Sequence, residues 1–214
     1  MKKPFNFVLI GKSGSGKGTQ AQFLMERFGN LHYFCTGDMF RTLAEADTVV
    51  GAKIREILAK GKLPLDDIAT TLWMHDISFN LKEGEGILAD GFPRRLPEAK
   101  NFDRFLEFLD KKETIFYILI DVSRKEAFDR MTKRRQCKEC NRIIPWMGKF
   151  KNLEKCDKCG GKLVSRPDDT EEAINNRLDY YEENVVKVVG YYKELGRLIK
   201  VMANNLLKKC LRIF

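Results

Sequence analysis

Short apolar runs alternate with longer segments of helical periodicity along most of the chain. The runs are rich in Phe, Ile, Val and Leu without strict alternation of polar residues, which is typical of strands buried on both faces. Helices are predicted between them, for example at Lys17–Phe28 and Leu65–Leu81. This order of elements predicts a parallel sheet with helices on both faces. The predicted strands are Phe5–Ile10, His32–Thr36, Gly86–Ala89, Thr114–Val122 and Arg197–Val201.

Two further features of the pattern concern the size of the fold and its last long helical segment. The 214 residues are enough for one main core with small insertions. The segment Asp168–Leu195 opens with Asp-Asp-Thr-Glu-Glu. Acidic and capping residues of this kind favour a helix N-terminus, because they satisfy free N–H groups and oppose the helix dipole.

The segment from Asp129 to Arg166 interrupts the alternation and shows no clear helical or strand period. It contains twelve Lys/Arg and four Asp/Glu, a local balance of +8 within a chain whose formal charge is +9. Such a segment can attract nucleic acid, a membrane surface or a small polyphosphate, or it can be a solvated surface. We interpret it as an inserted minidomain, and its other residues have to indicate which of these roles it has.

Four of the six cysteines lie in this basic segment and form a C-x₂-C-x₁₅-C-x₂-C pattern, at Cys137, Cys140, Cys156 and Cys159. Paired CxxC knuckles in a chain without a secretory signal favour a metal over disulfides. Four thiolates suit tetrahedral Zn²⁺ in a closed, structural site, with iron or a redox dithiol as the alternatives. Cys35 and Cys210 stand alone and are interpreted as small core residues.

The stretch GKSGSGKGTQ, Gly11 to Gln20, directly follows the first apolar run. Its glycines let the backbone turn so that N–H groups point at phosphate oxygens, and the helix after the loop adds its positive dipole end. Lys17 can then reach the β- and γ-phosphates. A Ser or Thr usually follows this lysine, whereas here Gly18 intervenes before Thr19. The alternative is a plain Gly/Ser turn between a strand and a helix.

GKGTQ resembles the phosphate loop of adenylate kinases and related nucleoside monophosphate kinases, which regularly carry Gly after the lysine. Further motifs of that family follow in its order, between about residue 5 and residue 201. They are Thr36-Gly37-Asp38-Met39-Phe40-Arg41, Gly61-Lys62-Leu63-Pro64-Leu65-Asp66, Asp90-Gly91-Phe92-Pro93-Arg94, Asp129-Arg130 with Arg134-Arg135, and Arg166-Pro167-Asp168-Asp169 with Arg177.

The resemblance implies a fold and a reaction. The expected fold is α/β, a three-layer P-loop domain with a five-stranded parallel sheet that occupies residues 1–214 as a single unit. Two inserts are expected, a helical monophosphate-binding region at 36–65 and a zinc-bearing lid at 129–167. The implied reaction is ATP + AMP ⇌ 2 ADP by in-line transfer under a closing lid, with Mg²⁺ bound to the ATP.

The resemblance also implies roles for individual residues. The expected catalytic residues are Lys17, Arg94, Arg134, Arg166 and Arg177. The expected ATP site is Gly11, Ser13, Gly14, Ser15, Gly16, Lys17, Gly18, Thr19, Arg130 and Arg134. The expected AMP site is Thr36, Gly37, Arg41, Leu63, Pro64, Gly91, Arg94, Glu98, Arg166 and Arg177. Asp38 and Asp90 would hold the water shell of Mg²⁺, although each could instead cap a turn or a helix.

The chain departs from the family pattern at three places. Glu98 stands where the family usually has a Gln that reads adenine. An ionised glutamate cannot donate to N1, so the acceptor could shift toward GMP, although AMP stays the favoured acceptor. The alternative is that Glu98 is surface-exposed and another group reads the base. Trp146 lies between the cysteine knuckles and could pack on the ATP base or fill the lid's own small core. After Val201 a usual Gly-containing loop is absent, and the ending LLKKCLRIF is expected to be a short packed helix.

Other functions remain open on the sequence alone. The rivals are a monophosphate kinase with another acceptor, a P-loop zinc module that binds nucleic acid, and a nucleotide-binding regulator without turnover. Trp146 and Phe150 are too few aromatics for repeated base stacking in the basic segment. No apolar run approaches the roughly 20 residues that span a membrane. We therefore expect a cytoplasmic monomer whose partners are ATP and AMP rather than nucleic acid or a membrane.

Overall fold

The computed structural model describes residues 4–166 and 168–203 and contains the predicted parallel sheet. Its five strands are ordered β2-β3-β1-β4-β8, and every neighbouring pair is parallel. Each predicted strand is confirmed to within one residue at either end. The strands are β1 Asn6–Ile10, β2 Leu31–Cys35, β3 Gly86–Asp90, β4 Ile115–Asp121 and β8 Leu198–Met202.

Helices cover both faces of the sheet, as the unbroken apolar strands predict. Their bounds are α1 Lys17–Phe28, α2 Thr36–Glu45, α3 Val49–Ala59, α4 Asp66–Asn80, α5 Leu96–Phe108, α6 Arg124–Lys133, α7 Glu171–Tyr180 and α8 Val186–Glu194. Alternate residues of β1 point to opposite faces. Val8 therefore joins a cluster with Trp73 and Tyr192, while Phe7 joins a cluster with Leu24. All five residues of β1 and of β3 are buried.

The acidic start of the last helical segment forms a capped helix, slightly later than its first acidic residue. The Thr170 side chain accepts a hydrogen bond from the backbone N–H of Ala173, and Glu171 and Glu172 occupy the first turn of α7. A π-helical turn at Tyr181–Val185 then separates α7 from α8. Single-turn π-helical segments are rare, and the sequence, which predicted one helical stretch over the whole segment, did not predict this one.

The region between β2 and β3 contains three helices that share a small core of their own. Phe40 of α2 and Ile54 of α3 are buried together with Ala69 of α4. The side chain of Thr48 accepts a hydrogen bond from the backbone N–H of Gly51 and so caps α3. These helices place the motif at residues 36–41 beside the carboxyl end of the sheet.

The cysteine segment forms a short antiparallel sheet that the sequence did not predict. Its strands are ordered β6-β5-β7, with β5 at Arg135–Cys137, β6 at Ile143–Ile144 and β7 at Leu163–Val164. Strands of two or three residues are too short to show a period. The predicted C-terminal helix and Cys210 lie outside the described residues. Within the described ranges, no helix is both long and apolar enough to cross a bilayer.

Candidate active site

The loop between β1 and α1 holds Lys17 at the carboxyl end of the sheet. The Lys17 ammonium donates to the backbone oxygens of Gly11 and Lys12, at 2.9 and 2.8 Å. Burial lowers the pKa of Lys17 to about 8, against the opposing charge of Asp90. Gly14 has a φ of +79°, and a Cβ there would lie 2.7 Å from the backbone oxygen of Ala127. Only glycine fits that turn, which brings the loop against α6.

The first turn of α1 is open to an anion. Gly16 occupies the N-cap position with left-handed backbone geometry, and it has no side chain that could occupy the free N–H groups. Those groups and the positive end of the helix dipole form an anion site. The helix N-terminus and Lys17 therefore offer positive charge to the same space.

Asp90 ends β3 next to this loop. The residue is 6% exposed, and its carboxylate accepts a hydrogen bond from the Tyr33 hydroxyl at 3.2 Å. Burial raises the pKa of Asp90, while the neighbouring charge of Lys17 opposes that rise. A Cβ on Gly18 would lie 3.6 Å from Oδ2 of Asp90. The carboxylate thus faces the position that follows the loop lysine.

A cavity of about 610 Å³ opens above the carboxyl end of the sheet and brings most of the predicted site residues together. From the phosphate loop and the monophosphate motifs, the wall includes Gly11, Ser13, Gly14, Gly16, Lys17, Gly18, Thr19, Gly37, Asp38, Arg41, Leu63, Asp90, Gly91 and Arg94. From the later motifs it includes Arg130, Arg134, Arg166 and Arg177. A cavity walled by so many cations suits a ligand with several negative charges.

Four predicted site residues do not line the cavity. Ser15 is buried, and its hydroxyl has no hydrogen-bond partner among the described residues. Thr36, the first residue of α2, is buried, and its hydroxyl lies 3.5 Å from the backbone oxygen of Gly91. Pro64 is buried beside the lining residue Leu63. The fourth, Glu98, makes a contact outside the cavity.

Arg41 and Arg94 converge on one point of the wall. A Cβ on Gly37 would lie 3.5 Å from a guanidinium nitrogen of each arginine, so the glycine leaves room for both. Nε of Arg94 donates to the backbone oxygen of Gly91 at 2.7 Å, and Arg41 pairs with Asp38. Two guanidinium groups at one point form a fork that can grip a phosphate.

Three other arginines are anchored by two neighbouring carboxylates. Arg134 and Arg177 both donate to Asp169, with nitrogen-to-Oδ1 distances of 2.6 and 3.1 Å. Arg166 donates to both carboxylate oxygens of Asp168, at 3.1 and 3.0 Å. Burial raises the pKa of Asp168, but Arg166 and Arg177 outweigh burial and bring it below the usual value. Three cations on two anions leave a surplus positive charge.

Arg130 connects the cavity wall to the phosphate loop. Its guanidinium donates to the backbone oxygen of Ser15 at 3.3 Å and pairs with Glu126 on α6. The arginine therefore lies over the same loop that presents Lys17. Its side chain is largely buried, with 13% of its surface exposed.

Glu98 faces the backbone rather than the cavity. Its Oε2 accepts a hydrogen bond from the backbone N–H of Arg94 at 2.6 Å, and the residue is only 3% exposed. Burial raises the pKa of Glu98 to about 6, against the Arg94 hydrogen bond, which lowers it.

The cavity also contains residues that the sequence did not assign to it. Cys35, expected in the core, lines the wall at the end of β2, where burial raises the pKa of its thiol to about 11. Tyr181 and Val185 of the π-helical turn line it as well. Of these three residues, only Cys35 had a signal in the sequence, which was its position at a strand end. Trp146, which the sequence singled out, also lines the cavity.

The four cysteines of the basic segment come together in space. Their sulfur atoms all lie within 4.8 Å of one another, with Cys137 to Cys159 at 3.4 Å and Cys140 to Cys156 at 3.6 Å. A disulfide needs sulfurs about 2 Å apart, whereas thiolates about 2.3 Å from a tetrahedral zinc lie nearly 4 Å from each other. The four sulfurs therefore fit a shared metal better than two disulfides.

Comparisons with known proteins agree with this geometry. A family model described as adenylate kinase matches residues 9–197. An adenylate kinase of Clostridium kluyveri is 38% identical over 192 residues, which are 88% of this chain and 86% of the relative. An adenylate kinase of Methanocella arvoryzae is 39% identical over 201 residues, 91% of this chain and 89% of the relative. One of Thermosipho africanus is 36% identical over 199 residues, 92% and 91% of the two chains.

Proposed function

The chain belongs to the adenylate kinase family, whose reaction is reversible phosphoryl transfer between ATP and AMP, and we propose that the basic cavity carries out this transfer. Lys17 and seven arginines line the cavity, and the convergence of Lys17 with the six arginines that the family motifs predict carries the proposal. Transfer between two nucleotides gathers many negative charges at one point, and the protein must neutralise and align them. The six are Arg41, Arg94, Arg130, Arg134, Arg166 and Arg177.

On the donor side, Lys17 stabilises charge on the transferred phosphoryl group. In the structure its ammonium is held by two backbone oxygens, which the phosphate oxygens of ATP replace as stronger, charged acceptors. The first turn of α1 and the loop N–H groups hold the β- and γ-phosphates. Arg130, which lies over the loop, covers the adenine side of ATP.

On the acceptor side, Arg41 and Arg94 bind the phosphate of AMP. Their common position over Gly37 supports this assignment. The migrating phosphoryl group lies between them and the set Arg134, Arg166 and Arg177. Asp168 and Asp169 hold that set in advance, which avoids reorganising three charges during the transfer.

The cofactor of the reaction is Mg²⁺, bound together with ATP, and Asp90 and Asp38 are the residues that would hold its water shell. Asp90 fits this role, because its carboxylate faces position 18, where other phosphate loops present a hydroxyl. Asp38 is more exposed and pairs with Arg41. When bound, Mg²⁺ supplies neutralisation of phosphate charge.

We further propose that Cys137, Cys140, Cys156 and Cys159 bind a structural zinc ion. The sulfur separations and the all-thiolate set support zinc. A closed four-thiolate site leaves no open position for substrate, so the ion crosslinks the two knuckles and takes no part in the chemistry. It then holds the lid, which carries Trp146 over the cavity.

We also propose that the protein acts as a monomer in a reducing compartment such as the cytoplasm. Every residue assigned above to phosphoryl transfer belongs to one chain, so the proposed chemistry is complete within a monomer. Five cysteines of the described residues form no disulfide, which also suits a reducing environment. Trp146 and Phe150 line the nucleotide cavity, which favours ATP over nucleic acid as their partner. Light scattering of the purified chain tests the oligomeric state.

The test of the proposed function is a chromatographic assay with Mg-ATP and, separately, AMP, GMP, CMP and UMP. We expect rapid ADP formation with AMP and a loss of about 10²-fold or more in Arg94→Met. Arg104→Met is the matched control, because Arg104 lies on α5, outside the cavity wall, and donates to Asn101 at the surface. No turnover with any acceptor would refute the proposal, and faster turnover with GMP would change the assigned acceptor.

A further inference from the structure

Glu98 is the third residue of α5 and turns back toward the residues that precede the helix. Arg95 is the N-cap of α5, and the Glu98 carboxylate accepts from the backbone N–H of Arg94 at 2.6 Å. The glutamate of a capping box occupies this position and accepts from the N-cap N–H, whereas the Glu98 carboxylate reaches one residue further back, to the N–H of Arg94. The N–H of Arg94 thereby gains a charged acceptor inside the protein.

The residue held by Glu98 belongs to the acceptor site. The backbone of Arg94 is fixed by Glu98, while Nε of the same residue donates to Gly91 at 2.7 Å. Its guanidinium then meets Arg41 above Gly37. Arg94 lines the cavity, whereas Glu98 does not. The path from Glu98 to a bound nucleotide therefore runs through the main chain of Arg94.

A buried carboxylate is unusual, and the charged groups around Glu98 act on its ionisation in opposite directions. Arg94 and Arg95 face it from the start of α5, and Asp66 of α4 faces it as a like charge, itself paired with Arg95 at 2.7 Å. Burial and Asp66 oppose ionisation, and the N–H of Arg94 favours it. An uncharged residue would avoid the penalty of burying a carboxylate.

We propose that Glu98 is a positioning residue that fixes Arg94 on the acceptor phosphate, and that it does not read the acceptor base. This inference rests on the proposed function of the cavity. Because Glu98 acts through a group that every monophosphate shares, its loss weakens all acceptors by the same factor. Its loss does not change the binding of ATP, whose phosphates lie on the loop of Lys17.

The test compares Glu98→Ala, Glu98→Asp and Glu98→Gln in the full chain, with steady-state kinetics for AMP and GMP at saturating Mg-ATP. Glu98→Ala removes the acceptor of the Arg94 N–H, and Glu98→Asp shortens its reach. We expect each to raise the KM for AMP about tenfold and to lower kcat/KM for GMP by the same factor, with the KM for ATP within about twofold. Glu98→Gln keeps an acceptor oxygen for the Arg94 N–H, so it should show only a small part of the kinetic loss seen in Glu98→Ala.

The matched control is Glu85→Ala. The Glu85 carboxylate also accepts from a backbone N–H, that of Lys82 at 2.9 Å, but at the opposite end of β3. We expect no change in the KM for AMP. A change of about tenfold in the AMP-to-GMP ratio of kcat/KM in Glu98→Gln would overturn the proposal in favour of base reading. An unchanged KM for AMP in both Glu98→Ala and Glu98→Asp, folded by circular dichroism, would also overturn it.

The wild-type assay separates this inference from the proposed function. Failure of the wild-type chain to convert ATP and AMP would refute the kinase proposal whatever Glu98 does. Normal wild-type turnover with unaffected Glu98 variants would refute only the positioning role.

Discussion

Two walls of the cavity are held in place by different physical means. The core wall, Lys17, Asp90 and Arg94, stands on or just after the ends of β1 and β3. The lid wall, Arg134, Arg166 and Arg177, flanks the cysteine segment or lies on α7 and is anchored by carboxylates. The first wall depends on a packed core, whereas the second depends on charge and, in the proposal, on a metal.

The difference in burial is large. Every residue of β1 and β3 is buried, and most of them belong to two apolar clusters, one of which includes Trp73 and Phe102. Within residues 132–165, by contrast, only Cys137, Ile144 and Cys156 are buried. So small an apolar set cannot hold three short strands against the entropy of the chain. The comparison indicates that one wall is built for rigidity and the other can be loosened separately.

The largest effect should come from the core wall, in Lys17→Met. The variant loses the only ammonium that the phosphate loop aims at the transferred group, so kcat should fall about 10³-fold with little change in thermal stability. Steady-state kinetics and calorimetry measure both. Lys12→Met is the control, because Lys12 pairs with Glu182 at 3.4 Å and lies over the ring of Tyr181. Similar losses in both variants would contradict the role given to Lys17.

Removal of the metal should affect the lid wall and spare the core wall. A chelator, or Cys156→Ser, should release zinc and lower kcat/KM about 10²-fold through misplaced lid arginines. Circular dichroism should still report the folded sheet, because β1 and β3 do not depend on the lid. Zinc content by elemental analysis and recovery of the chelated protein on zinc addition are the controls. If the whole chain unfolded on metal removal, the core wall would depend on the lid, which would contradict the comparison between the two walls.

A smaller effect is expected from the carboxylate that anchors the lid wall. Asp169→Asn removes the negative charge shared by Arg134 and Arg177, so their guanidinium groups lose a preset position. We expect kcat to fall about tenfold, with zinc content unchanged. Asp157→Asn is the matched control, since Asp157 pairs with Arg142 within the lid at 3.1 Å. Equal losses of kcat in the two variants would show that removing any carboxylate of the lid has the same effect, which would contradict the anchoring role of Asp169.

The smallest effect concerns stability at the core wall. Burial raises the pKa of Glu98 from 4.5 to about 6, so the protein gains relative stability below pH 4.5 and loses it as the pH rises through 6. Glu98→Gln removes this charge and should raise the free energy of unfolding by about 2 kcal/mol at pH 7.5, with no gain at pH 4.5. Denaturant melts at both pH values measure the difference. A gain that does not depend on pH would contradict the assigned pKa.

The sequence predicted what local patterns encode. Strand ends such as Ile10 were predicted because apolar runs end at glycine, and the phosphate loop was visible because its residues are contiguous. The clustering of the four cysteines was predicted from knuckle spacing. These features depend on a few neighbouring residues and on the known geometry of turns and metals.

The remaining features depend on hydrogen-bond directions, helix geometry and contacts between distant segments. At the start of α5, the backbone N–H of Arg94 competes with the acceptor base for the Glu98 carboxylate, and this N–H sets the direction of the side chain. The anchoring of Arg134 by Asp169 joins residues 35 positions apart. The π-helical turn that brings Tyr181 to the cavity keeps an ordinary helical sequence. Neither periodicity nor motif spacing carries this information.

The central claim is that both walls act on one phosphoryl group, and a double-mutant cycle tests it most directly. We would measure kcat/KM for AMP in Arg94→Met, Arg166→Met and the double variant. If the walls stabilise the same transition state, the double variant should lose far less than the product of the two single losses, because either change already disrupts the shared site. A loss equal to that product would show that the two arginines act independently, which would contradict the account.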